Sequence, residues 1–197
     1  MRLYLDDALL SGTSPQNLTE ALDAARPKAA ERGRIIVEIW TDGARVDNAE
    51  LARLASEQEL DASEVRLVTE DPRSVVKQAL TETADSLDSM RAVHLQASDL
   101  IQSGKPEDAV ELVGSIATVW DGVRRTMDEG GKLLGVKFEQ MDGAPQAIAS
   151  LTTRLSAMAV AIDRKDWVSL SDDLAEGLPE EAERWAVLLR NMADRVG

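Results

Sequence analysis

Between Asp71 and Ile101, residues suited to an apolar seam recur at Val76, Leu80, Thr83, Leu87, Met90, His94, Ala97 and Ile101. The steps are 4, 3, 4, 3, 4, 3 and 4. That rhythm holds one side of an α-helix against a partner and is foreign to the two-residue period of a strand. Asp71-Pro72 opens the stretch as a helix start, with Asp accepting from free N–H groups of the first turn and Pro where no donor is needed. As one helix it is about 45 Å long, and a helix of that length needs partners throughout.

The chain supplies them. Pro106 opens a second helix with Ala109, Val113, Ile116, Trp120, Val123 and Met127 on one side, and Gly130-Gly131 and then Gly135 bring it to an end. Pro145 starts a third, carrying Ile148, Leu151, Leu155, Met158 and Ile162. After the polar break Asp163–Asp166, a fourth runs through Trp167, Leu170 and Leu174. Pro179 interrupts it, but Leu178, Ala182, Trp185, Leu189, Met192 and Val196 keep the phase, which predicts a kinked helix or two helices end to end. Short connections between the four make antiparallel neighbours, an up-and-down bundle over residues 71–197.

Residues 1–70 read differently. Leu3 and Leu5 alternate with polar neighbours as a short strand, and Asn17 with Glu20 caps a helix that Pro27 should bend or interrupt and Gly33 ends. Ile35-Ile36-Val37-Glu38-Ile39-Trp40 is the strongest strand and reads as central, with Ile35, Val37 and Ile39 on one face. Asp42-Gly43 is a hairpin turn, Asp47 and Glu50 cap a short helix, and Glu64–Val68 is a last strand. The expectation is a small α+β domain whose first strand–helix–strand crossover is right-handed. The fold class is α+β, a head of three to four strands and two helices followed by the four-helix bundle. No Gly- or Ser-rich linker lies between Val68 and Val75, so a rigid coupling of the two is expected.

Composition narrows the function classes. Aromatic residues are 3%, which leaves the core to Leu, Val, Ile, Met and Ala. Cysteine is absent, which excludes disulfides, thiolate metal sites and thiol nucleophiles. The net charge is −14, with 15 acids and 8 bases in residues 1–71 and 21 and 14 in the remainder, so each part carries −7. An evenly acidic surface repels nucleic acid and anionic lipid, and neither is expected as a partner. No apolar run is long enough to span a bilayer and Met1–Leu5 is too short for a signal peptide, so the expected location is cytoplasmic.

Catalytic signals are weak. His94 is the only histidine and sits on the apolar seam, with Met90, Arg91, Ala97 and Ser98 as its helical neighbours, so no carboxylate on its own face orients it. It reads as a layer residue hydrogen-bonded to a hydroxyl or carbonyl. The acid pairs Asp6-Asp7, Asp128-Glu129, Asp172-Asp173 and Glu180-Glu181 diverge on their elements and read as solvated faces. A di-metal bundle site needs a histidine on each of two helices, and Gly131-Lys132 lacks the rest of a phosphate loop. No cofactor or metal is expected.

The tryptophans carry more. Trp120, Trp167 and Trp185 lie on apolar stripes, either sealing the core or lining a groove for a partner helix, and Trp40 ends a strand beside a turn. Trp40, His94, Trp120, Trp167 and Trp185 are therefore the candidate partner or pocket residues. The reading is a non-enzymatic interaction or adaptor protein that binds another protein or itself. Two alternatives are a small-molecule regulatory module with a pocket between head and bundle, and a helical-bundle chaperone for a secreted subunit.

Overall fold

Strand β1 (Arg2–Leu5) turns back on itself at once, in a computed structural model that describes residues 1–57 and 59–196. Asp6 takes φ 54° and lets β2 (Ala8–Leu9) pair antiparallel with β1. Then follow α1 (Leu18–Glu31), β3 (Ile35–Thr41), β4 (Ala44–Arg45), α2 (Asn48–Ser56) and β5 (Glu64–Glu70). The sheet order is β2-β1-β5-β3-β4, with β1 parallel to β5 and β3 antiparallel to it. Two expectations fail here. The central strand is β5, whose Val65, Leu67 and Thr69 are buried, whereas β3 has short β4 as its second neighbour. Since β1 and β3 run in opposite senses and are not neighbours, there is no β1–α1–β3 parallel crossover.

The alternation read along β3 also slips. A bulge between Ile36 and Glu38 inserts Val37, so that Ile36 opposes Thr69 and Ile39 opposes Leu67. An extra residue reverses the two-residue phase, which puts Ile36 and Ile39, three apart, on the core side with Leu3, Leu5 and Leu18. Glu38 and Trp40 oppose Val68 and Arg66 on the other face. The caps hold as expected: Asn17 accepts from the Glu20 N–H (2.9 Å) and Asp47 from the Glu50 N–H (2.8 Å). Gly33, at φ 66°, closes α1 with N–H bonds from Gly33 to Ala30 and from Arg34 to Ala29. Pro27 does not break α1, which is continuous from Leu18 to Glu31.

The chain divides into two compact units at Val75/Val76. In the second, the long helix expected from Asp71 to Ile101 is two helices, α3 (Pro72–Ser89) and α4 (Arg91–Gln102). No proline or glycine marks the break. Ser89 donates its hydroxyl to the carbonyls of Asp85 (3.1 Å) and Ser86 (2.9 Å), and Ser86 does the same to Glu82 (2.9 Å). Such bonds also occur in α6, at Thr152, Thr153 and Ser156, without a break, so they do not by themselves account for this one. Here the Met90 N–H tightens onto Leu87 (3.1 Å) with ψ at −15°.

Helix α5 (Pro106–Leu134) runs straight through Gly130 and Gly131 and ends only at Gly135, φ 67°. The two inner glycines allow close approach instead: a Cβ on Gly131 would stand 2.8 Å from the Val136 carbonyl oxygen. A short 3₁₀ turn, Phe138–Gln140, then buries Phe138 completely. Helices α6 (Ala144–Arg164) and α7 (Trp167–Asp172) follow, and α7 passes through a π-helical turn, Asp173–Gly177, into α8 (Leu178–Val196). The wider turn, with the Leu178 N–H reaching back to Asp173, lets the chain pass Pro179 without a bond to its missing N–H. The result is four long helical runs around one core, α+β overall with the N-terminal five-stranded sheet.

Candidate functional site

Three of the four apolar stripes are covered. Val76, Leu80 and Leu87 of α3, Ile116, Trp120 and Val123 of α5, and Ala182, Trp185 and Leu189 of α8 are all buried. Helix α6 is the exception. Of Ile148, Leu151, Leu155, Met158 and Ile162, only Met158 is buried, and Ile148 keeps 36% of its surface exposed. Helix α6 packs on α7 and α8, and its Leu151 and Leu155 reach the shared core.

The gap between α5 and α6 is a groove of about 630 Å³. On one wall Ala117, Asp121, Arg124 and Asp128 recur along α5, with Trp120, Val123 and Met127 beneath them. The other wall is Ile148, Leu151, Thr152 and Leu155 of α6, which carries no charge there. Trp185 of α8 completes the floor, and Glu139 stands at one end. Trp120 and Trp185 meet edge to face with ring centroids 6.0 Å apart, a favoured aromatic geometry. A floor made of two large rings is rigid and apolar.

The rim is charged. Asp121 takes one hydrogen bond from Arg125 (2.8 Å) and two from Arg124 (2.8 and 3.1 Å), and these guanidiniums, Arg125 first, hold its carboxyl below the usual carboxylate range. Asp128 accepts from Lys132 at 2.7 Å. Glu139 makes no ion pair among the described residues.

The five residues singled out from sequence separate cleanly. Trp120 and Trp185 come together in the groove; Trp167, half-buried, packs on the bundle core at the start of α7 and does not line it. Trp40 lies in the other unit, half-buried on the outer sheet face, and donates its indole N–H to Glu38 (3.0 Å). His94 is fully buried on α4, and the expected hydroxyl or carbonyl partner is missing: among the described residues neither ring nitrogen has a hydrogen bond. Burial alone lowers its pKa to about 4. The indole N–H groups of Trp120 and Trp185 are likewise sealed without acceptors.

Among the described residues no three histidine, cysteine, aspartate or glutamate side chains are grouped to hold a metal ion, and no helix is long and apolar enough to cross a membrane. No known protein family, curated protein or solved structure matches the chain. The residues that sequence reasoning missed are those of α6. Its stripe was read, but nothing in a linear pattern says which of four stripes lacks a neighbour.

Proposed function

We propose that this is a non-catalytic binding protein that receives a helical segment of a protein partner in the α5/α6 groove. The observation that carries the reading is the groove between α5 and α6, along which the α6 stripe is only partly covered and ends in exposed Ile148, in a bundle whose other stripes are buried. From Ala117 to Asp128 the α5 wall is about 16 Å long, the length of three helical turns, which suits a segment with apolar anchors at i, i+3 or i+4 and i+7. An open trough with partly buried Leu151 and Leu155 along one wall fits a ribbon-like occupant better than an enclosed small molecule.

The test uses a labelled helical peptide with a Leu stripe at that spacing and Gln elsewhere. Fluorescence anisotropy should show binding to the full chain. The indole NMR signals of Trp120 and Trp185, assigned through single Trp→Phe variants, should move while those of Trp40 and Trp167 stay. Leu151→Glu should abolish binding without altering the circular dichroism of the protein. A wild-type chain that ignores the peptide, or binding that survives Leu151→Glu, overturns the reading.

A further inference from the structure

The two walls of the groove differ in charge, and that difference points to the chemistry of its occupant. The α6 wall offers Ile148, Leu151, Thr152 and Leu155, and no ionisable group. Every charge lining the groove comes from the α5 side and its following turn: Asp121, Asp128, Glu139 and Arg124, with Arg125 and Lys132 bonded to Asp121 and Asp128, which leaves Glu139 as the acid without an ion pair among the described residues. Helix α5 as a whole carries six acids, Glu107, Asp108, Glu111, Asp121, Asp128 and Glu129, against Arg124, Arg125 and Lys132. The whole chain, α5 included, bears −14.

We infer that the docked segment is a basic amphipathic helix, its apolar face on Ile148, Leu151 and Leu155 above the buried Trp120 and its Lys or Arg side chains along the α5 edge towards Asp128 and Glu139. The inference rests on the groove being a helix-docking site. The partner cations would meet Glu139, which has no ion pair of its own, and Asp128, whose bond to Lys132 spans one exposed helical turn. Such an exposed i,i+4 pair is worth little and exchanges readily for an incoming cation. The partner helix would lie asymmetrically, its charged flank on the α5 side only. The long-range field of an acidic chain adds faster encounter with a basic segment, and both effects weaken with salt.

Three peptides with one Leu stripe and different polar positions, Lys/Arg, Gln or Glu, separate the outcomes by anisotropy on the full chain. The basic peptide should bind at least ~10-fold more tightly than the acidic one at low salt, with the gap narrowing as NaCl rises to about 0.5 M. The double variant Asp128→Lys/Glu139→Lys should erase or reverse the preference while its affinity for the Gln peptide is unchanged. Equal binding of basic and acidic peptides, or a preference that survives the double variant, overturns this inference and leaves the groove reading standing. If no peptide binds, the Gln version included, both fall.

Discussion

The two units treat buried polar groups in opposite ways. In the sheet unit they bond across distant stretches of chain. Thr69, 2% exposed, gives its N–H (2.8 Å) and hydroxyl (3.0 Å) to the Asp6 carboxylate and accepts from Arg34 Nε (2.7 Å). At the surface, Asp42 takes the N–H groups of Ser63 (3.0 Å) and Glu64 (2.9 Å) in the same long-range way. The bundle has bonded buried groups too, such as Ser98 with Ser171 (2.9 Å) and Glu181 with Ser150 (2.8 Å). Yet all the buried side-chain polar atoms without a partner among the described residues lie there, on His94, Trp120, Arg154, Asp173 and Trp185. Polar bonds set the geometry of a small sheet whose strands are short. Apolar stripes and close backbone approach set that of the bundle, where polar groups are tolerated as a cost.

That contrast breaks first at His94. Its folded pKa, about 4, lies below the unfolded value of 6.5, so between these the unfolded chain binds a proton that the folded chain refuses. The stability tied to neutral His94 is complete above pH 6.5, drains as pH falls towards 4, and is then gone. At ~1.4 kcal/mol per pH unit the loss is on the order of 3 kcal/mol. His94→Leu, of similar volume, removes an unsatisfied group and should already stabilise the bundle by about 1–3 kcal/mol at pH 7. Urea unfolding of both proteins from pH 7 to 4 should show their difference widening on acidification; a constant difference, or a destabilised variant, would mean that the imidazole has a partner.

The sheet unit predicts the reverse sign. Asp6→Ala strands the Thr69 N–H and should cost about 2–3 kcal/mol. Asp6→Asn, which keeps an acceptor and tolerates φ 54°, should cost roughly half as much. An Asp6→Ala variant as stable as wild type would collapse the distinction between the units.

The same contrast explains what could be read in the chain. Local chemistry was legible: the Asn17 and Asp47 caps, the Asp42-Gly43 turn, Pro106 and Pro145 as helix starts, and the four stripes. Features decided by distant partners were not. Asp6, read as part of a solvated acid pair, is the corner of a hairpin held by Thr69. The slip at Val37 follows from pairing with β5, and the break at Met90 interrupts neither the apolar spacing nor any run marked by proline or glycine. Trp120 and Trp185 were legible as stripe residues, but the groove between them and α6 is an absence of packing, which no stripe records.

If shape rather than polar bonding governs the bundle, its smallest side chains should be sensitive in proportion to what faces them. Gly130 and Gly131 are adjacent and both buried within α5, and replacement by Ala should gain each up to ~1 kcal/mol of helix propensity. A Cβ on Gly131 meets the Val136 carbonyl oxygen at 2.8 Å, in a residue whose own N–H donates back to the Gly131 carbonyl (3.0 Å). That bond closes the turn leading to buried Phe138, so the carbonyl cannot retreat without moving the ring. A Cβ on Gly130 meets the Val76 Cγ1 at 3.0 Å, a methyl that can shift by a small rotation. Overpacking of a rigid site costs about 1–3 kcal/mol, so Gly131→Ala should be net destabilising by ~1–2 kcal/mol and Gly130→Ala close to neutral. Thermal melts of the two variants check the order. Equal shifts would place the constraint in helix propensity alone; a larger loss at Gly130 would make the Val76 contact, between α3 and α5, the stiffer of the two.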